Sequence, residues 1–257
     1  HTCKMAGTKW KSVTEYAAYL ASVDQQLPAA NLLARQLHSL RSPSTNTRFR
    51  LPLNCTVCWS NPTATCPVVL NLLPVLNEYF FYMGIKAFEV APGRLALDAS
   101  ELRINFGNNL HIQATLLHCL LTRHRCVEVV EGLCFVLPRY LQLFCDALRS
   151  SVLRTLRLDK CWLTGTAVES IVAAIRDSEH IAELSWNECV ITSGNLQAAE
   201  GAVAAYIANA KFLRILDVQD VLLLCKSVTL VKSLEKNVSI ESLFISSSML
   251  LDPGLIY

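Results

Sequence analysis

The chain has 257 residues, of which 52% are apolar and 17% charged, with a formal net charge of +2. That apolar content excludes intrinsic disorder, and so small a charge excludes a partner held by a strong field, such as nucleic acid or an anionic membrane. The most apolar stretch, Pro67 to Ile85, is interrupted by Asn71, Pro74, Asn77 and Glu78, so it falls short of the ~18 uninterrupted apolar residues that a membrane span needs.

Residues 1 to 10 carry no apolar leader-type segment, so no secretion signal is expected. Val13, Tyr16, Ala17 and Leu20 then recur at helical spacing. Pro28 can open a second helix, continued by Leu33, Leu37 and Leu40. Residues 42 to 66 are rich in Ser, Thr, Asn and Pro and read as a loop. Residues 67 to 82 read as a helix kinked or restarted at Pro74. Residues 1 to 91 are thus expected to form a helical N-terminal cap. Within it, Leu27-Pro28-x-x-x-Leu32-Leu33-x-x-x-Leu37-x-x-Leu40 resembles an F-box, one residue out of step.

Residues 92 to 257 show a recurring pattern. Leu153-x-x-Leu156-x-Leu158-x-x-Cys161-x-Leu163 recurs as Ile181-x-x-Leu184-x-Trp186-x-x-Cys189-x-Ile191, 28 residues later. Leu213, Leu216, Val218, Val221 and Leu223 continue it, followed by Ile240, Leu243, Ile245, Ser248 and Leu250. Upstream lie Cys126, Val129, Cys134 and Val136, with Glu131 in an inward slot and a register that can slip by one. The first copy is Pro92, Leu95, Leu97, Ser100 and Leu102. Between copies, Thr164 is suited to cap a helix, and Val168, Ile171, Val172 and Ile175 line one face of it. Ile191-Thr192 repeats the Leu-Thr step ahead of Leu196, Val203 and Ile207, and Val228, Val231 and Leu234 mark a third helix.

This pattern resembles the leucine-rich repeats of the ribonuclease-inhibitor type, found also in NOD-like receptor sensor arrays and Ran GTPase-activating protein. The resemblance implies an α/β solenoid of about six units, a horseshoe with parallel strands on the concave face and helices on the convex face. It also implies a protein-binding scaffold. The side chains expected on the concave face are Arg154, Arg157 and Lys160, then Glu183, Asn187 and Glu188, then Arg214, Asp217 and Asp220. Alternating basic and acidic strips of this kind steer a partner and select it. Alternatives of a different class are a GTPase activator, an F-box-like ubiquitin-ligase substrate adaptor, and the sensor fragment of a NOD-like receptor.

Catalytic chemistry is not expected. There is no Walker-type phosphate loop, no His-Glu-x-x-His and no Gly-x-Ser-x-Gly. The eleven cysteines are an odd number, and many lie in apolar runs, so they read as buried thiols of a reducing, cytoplasmic compartment. Cys55-x-x-Cys58 with Cys66 offers three zinc-type donors, His38 being the one candidate to complete them, and Cys119, His124 and Cys126 form a second such group. Neither group alone supplies the two pairs that a structural site needs, so no metal, cofactor or small-molecule substrate is expected and the partner is expected to be a protein. Asn54-Cys55-Thr56 and Asn237-Val238-Ser239 match the glycosylation pattern, which carries little weight without a secretion signal.

Overall fold

A computed structural model describes residues 10, 12–41, 46, 48, 58, 66, 71, 73–81, 85–99, 110–132, 139–176, 178–221 and 227–246. The chain divides into two compact units, residues 1–128 with 139–152, and residues 129–138 with 153–257.

In the first unit, helix α1 (Val13–Val23) starts at Ser12, whose side chain accepts a hydrogen bond from Glu15 N. It buries Val13, Tyr16, Ala17 and Leu20, the face expected from their spacing. Helix α2 (Ala30–Ser39) packs on α1 and buries Leu33 and Leu37, while Leu32 faces solvent. One face of an ordinary amphipathic helix therefore accounts for the F-box-like leucines. Helix α3 (Leu73–Phe81) contains Pro74 as its second residue, and residues 67–70 and 72, where a kink or a restart would be read, lie outside the described residues.

Strands β1 (Lys86–Ala91) and β2 (Arg94–Asp98) form an antiparallel hairpin, in register from Lys86↔Asp98 to Glu89↔Leu95, with a one-residue shift before Ala91↔Arg94. The turn between them needs Gly93, whose φ of 76° is open to glycine at no steric cost. Asn77 of α3 clamps the hairpin by bonding both the N–H and the carbonyl of Ala87. Helix α4 (Leu110–Arg123) is buried nearly all round, with every residue from Ile112 to Leu121 inside, the polar Gln113, Thr115 and His118 included. Such a helix belongs inside a core, and each fully buried leucine contributes about 1.5–3 kcal/mol. Strand β3 (Val127–Glu131) follows after a short turn, and helix α5 (Leu141–Ser150) packs on α4 and buries Leu143, Phe144, Cys145, Ala147 and Leu148.

The second unit contains short parallel strands with helices between them. Residues 129–131 of β3 pair with β4 (Thr155–Arg157), β4 with β6 (Glu183–Ser185), β6 with β8 (Ile215–Asp217), and β8 with β9 (Ser242–Phe244). A separate two-stranded ladder joins β5 (Trp162–Leu163) to β7 (Val190–Ile191). Helix α6 (Gly165–Ile175) is capped by Thr164, as expected. Helix α7 (Leu196–Asn209) is capped by Asn195 instead of Thr192, and Leu196 is left 43% exposed. Helix α8 (Val228–Lys236) buries Leu230 and Ser233, not the Val228, Val231 and Leu234 stripe.

The leucine-rich-repeat horseshoe is not the architecture. The protein's strands are mixed, antiparallel at β1–β2 and parallel from β3 to β9, and the described residues form no regular repeat solenoid. Where the first repeat was expected, Pro92 and Gly93 reverse the chain into a hairpin, and Leu95 and Leu97 fill one face of β2. An i, i+2 leucine pair serves any strand with one buried face, so it does not specify a repeat. In the second copy Val127 and Val130 are the fully buried positions, which is the one-residue slip that the sequence allowed. In the last copy Leu243 is 39% exposed, so its slot is not a core slot. Ser100, Leu102, Cys134, Val136, Leu223, Ser248 and Leu250, and the acceptor site at Asn54, lie outside the described residues.

Asn237 ends α8 and fastens the next strand. Its Nδ2 donates to the carbonyls of Ile207 (2.6 Å) and Ala210 (2.9 Å), and its Oδ1 accepts from the N–H groups of Ser239 (2.8 Å) and Ile240 (2.9 Å). The nitrogen that would carry a glycan is therefore spent inward. Asn237→Ala is expected to destabilise the protein by roughly 2–4 kcal/mol, because it orphans several backbone groups at once. Urea unfolding of the two proteins checks this, and a loss below about 0.5 kcal/mol, the scale of an ordinary surface change, would show the knot to be incidental.

Candidate metal centre

Two ends of the first unit converge on one buried point. Cys58, Cys66, His124 and Cys126 each offer one donor atom, and these atoms all lie within 4.8 Å of one another. All four residues are buried, Cys66 and His124 at 1% exposure, Cys58 at 5% and Cys126 at 7%. In a tetrahedral zinc site, bonds of about 2.3 Å to sulfur and 2.0–2.1 Å to nitrogen put neighbouring donors roughly 3.5–3.8 Å apart. The distance from Cys66 Sγ to His124 Nδ1, 3.5 Å, already has that value.

Local structure fixes half of this donor set. His124 extends the last turn of α4, its N–H donating to the Leu120 carbonyl at 3.0 Å. Two residues on, the Cys126 carbonyl accepts from Leu95 N at 2.7 Å, so the chain has already joined β2 there. The turn between helix and strand thus presents an imidazole and a thiol from rigid supports. His124 Nε2 is buried with no hydrogen-bond partner, which leaves the ring incompletely satisfied by protein groups alone. Crowding acts on the sulfurs as well. Hydrogen bonding with Cys58, then with Cys66, and then burial drive the Cys126 thiol far above its ordinary range. The Cys126 thiol therefore holds its proton unless a cation replaces it.

The helix that carries His124 is fixed by a polar chain. Tyr16 Oη bonds His118 Nδ1 at 2.8 Å, His118 Nε2 bonds Asp146 Oδ2 at 2.9 Å, and Tyr19 Oη donates to the same oxygen at 2.6 Å. These contacts tie α1, α4 and α5 together. Burial pushes the His118 pKa down, against the pull of Asp146. The imidazole is therefore neutral at pH 7, and its contact with Asp146 is a hydrogen bond rather than an ion pair. Burial would raise the Asp146 pKa, but the hydrogen bonds from His118 and Tyr19 outweigh it and hold the carboxyl below its usual range.

The sequence placed all four of these donors, but in two separate groups, and the structure joins one pair from each. Cys119 is not among the converging donors; it is buried on α4 near Tyr16. His38 is exposed and holds Arg48 through its Nδ1 at 3.1 Å. Cys55 lies outside the described residues. The signal available was His124-x-Cys126 closing a helix, with Cys58 and Cys66 supplying the other pair across a gap of 58 residues.

The nine charged and polar residues expected on a concave face all lie in the second unit, and that face is absent because the regular parallel solenoid is absent. Arg157 bridges Glu131 at 3.1 Å and Glu183 at 2.8 Å across β3, β4 and β6. Lys160 approaches Glu188 at 3.9 Å, and Arg214 pairs with Glu241. Lys160, Glu188 and Asp220 sit at left-handed turn positions with φ of 57°, 54° and 55°, and not on strands. Asn187 receives Lys160 N at its carbonyl, and its own N–H donates to Asp159 Oδ1. Asp217 Oδ1 accepts from Gln219 N at 3.1 Å, and the Arg154 carbonyl accepts from Ala182 and Glu183. The basic and acidic strips largely answer one another.

No helix among the described residues is long and apolar enough to cross a membrane. No protein-family model matches the chain, and no curated protein matches it.

The His118 chain gives folding a definite pH dependence. The folded state depresses the pKa of His118, so below about pH 6.5 the unfolded chain binds a proton that the folded protein resists. Stability is accordingly lost as pH falls through and below that value, and Asp146 adds a second loss in more acid solution, as its carboxylate is protonated. Denaturant unfolding at pH 7.5 and 5.5 measures the first loss. His118→Gln is expected to be less stable at pH 7.5 and to show a flatter dependence; an unchanged slope would remove His118 from this account.

Proposed function

We propose that the chain binds one structural divalent metal ion, zinc by the chemistry of its donors, through Cys58, Cys66, His124 and Cys126. The observation that carries this reading is the convergence of three sulfurs and an imidazole nitrogen within 4.8 Å in the core of the first unit. Three thiolates and one imidazole are the donor set of a closed tetrahedral zinc site, and a soft, sulfur-rich set discriminates against magnesium and calcium. Because all four positions would be filled by buried protein groups, no coordination site is left for water or substrate. The role is structural and not enzymatic.

The energetic logic favours such a role. Structural zinc contributes about 10–16 kcal/mol of binding free energy in small peptides at neutral pH. Fixing a residue's backbone costs about 1–2 kcal/mol. One ion can therefore anchor the segment bearing Cys58 and Cys66 to the helix–strand junction at 124–126. The thiolate form of the centre also needs a reducing compartment, and we place the protein in the cytoplasm. All seven described cysteines are thiols and none is in a disulfide, which supports that placement.

Protein purified with reductant and without chelator is expected to carry about one zinc ion per chain by elemental analysis. Cobalt should replace zinc with the visible absorption of tetrahedral thiolate coordination. His124→Ala and Cys66→Ser should each lose most of the metal and lower the melting temperature, whereas Cys145→Ala, buried outside the centre, should retain it. Full-length, folded protein that takes up neither zinc nor cobalt would refute the assignment.

A further inference from the structure

Resting on the metal-binding reading, we propose that the same centre is a redox-operated clasp: a hydroperoxide joins Cys126 to Cys58 as a disulfide and expels the ion. The three sulfurs lie within 4.8 Å of one another. A disulfide requires about 2.05 Å between them, so a side-chain rotation and a small backbone shift separate the two states. Of the three cysteines Cys126 is the least buried residue, at 7% exposure, then Cys58, at 5%, with Cys66 at 1%. On that ordering Cys126 is the thiolate that meets the oxidant, and Cys58 resolves the product.

The chemistry balances with one equivalent of hydrogen peroxide. The metal-bound Cys126 thiolate attacks one peroxide oxygen, the O–O bond breaks, and a proton from solvent releases water, leaving a sulfenic acid. The Cys58 thiolate then attacks the Cys126 sulfur, and the departing hydroxide takes a second proton to give another water. Two thiolates lose two electrons in total, and peroxide gains them. The metal leaves as the divalent ion, unchanged in oxidation state. Only Cys66 and His124 would remain as donors, and two are too few for a closed site.

The other buried thiols supply internal controls. Burial pushes the Cys145 thiol up to about 11, so it holds its proton and reacts poorly. Cys189 donates its proton to the Leu158 carbonyl at 2.6 Å. Metal coordination is what would keep Cys126 and Cys58 as thiolates at neutral pH, so oxidation should select them.

The test uses the full chain loaded with zinc and freed of excess metal. Hydrogen peroxide is added in the presence of a chromogenic zinc chelator, and non-reducing peptide mapping follows the cysteines. Nearly all of the bound zinc should appear in step with a Cys58–Cys126 cross-linked peptide, and dithiothreitol with added zinc should restore the loaded form. Cys145→Ala should behave as the parent does. Zinc retained while other thiols are oxidised would overturn the proposal. So would release accompanied by sulfinic acid at Cys126 with no disulfide, or by a cross-link that uses Cys66. A chain that never loads zinc sinks this inference together with the metal assignment, whereas a loaded chain indifferent to peroxide sinks this inference alone.

Discussion

Three thiols and an imidazole share one buried spot, and little else in the first unit makes sense apart from the cost of that arrangement. Ionising even one of these sulfurs beside its neighbours, away from water, is opposed by desolvation and by like charge. Keeping all three protonated avoids the charge but leaves the imidazole with a buried nitrogen that no protein group satisfies. A divalent cation removes the first difficulty, because it turns mutual repulsion into shared attraction; bound at Nδ1, the nitrogen that faces Cys66, it leaves Nε2 as it was. The reading of the site as a metal centre rests on this balance as well as on the short distances.

The scaffold around the centre has the rigidity such a site requires. His124 and Cys126 stand on opposite sides of a helix-to-strand turn, and backbone hydrogen bonds to Leu120 and Leu95 fix both ends of that turn. Behind it, α4 is buried on almost every side and locked to α1 and α5 through Tyr16, His118 and Asp146. A neutral histidine suits this position: it accepts from a tyrosine and donates to a carboxylate without bringing a charge into the core. Two donors are thus held by the fold, while Cys58 and Cys66 approach from a distant part of the sequence. Preorganising half of a donor set reduces the conformational entropy that binding must overcome.

How far the sequence disclosed this depends on the range of each signal. Short-range signals were legible. Helices α1, α2 and α6 lie where their apolar spacing put them, and Thr164 caps α6 because a hydroxyl there can reach Ala167 N. The leucine pattern misled because it records burial at i, i+2 and i+3, which hairpins and parallel strands satisfy alike. What separates them is a turn, and at Pro92-Gly93 the turn reverses the chain. The metal centre was half visible. Each group of candidate donors looked incomplete because ligand spacing was sought locally, and the two true pairs lie 58 residues apart. The charged strips were read as facing a partner because pairing across neighbouring strands, as in Arg157 between Glu131 and Glu183, cannot be seen along a single chain.

The cysteines show why composition alone could not settle the question. Among the described residues of the second unit they are used one at a time. Cys161 and Cys189 are small, buried residues following β4 and β6, and Cys189 spends its proton on a backbone carbonyl. A side chain of modest volume with one weak donor suits a tight turn beneath a strand, and nothing there calls for a thiolate. In the first unit the same residue type is gathered into a cluster, where the relevant property is no longer size but the capacity to lose a proton to a metal. Burial is nearly equal in the two settings, so burial cannot distinguish them. The separation between sulfurs does, because only below about 5 Å can one ion be shared.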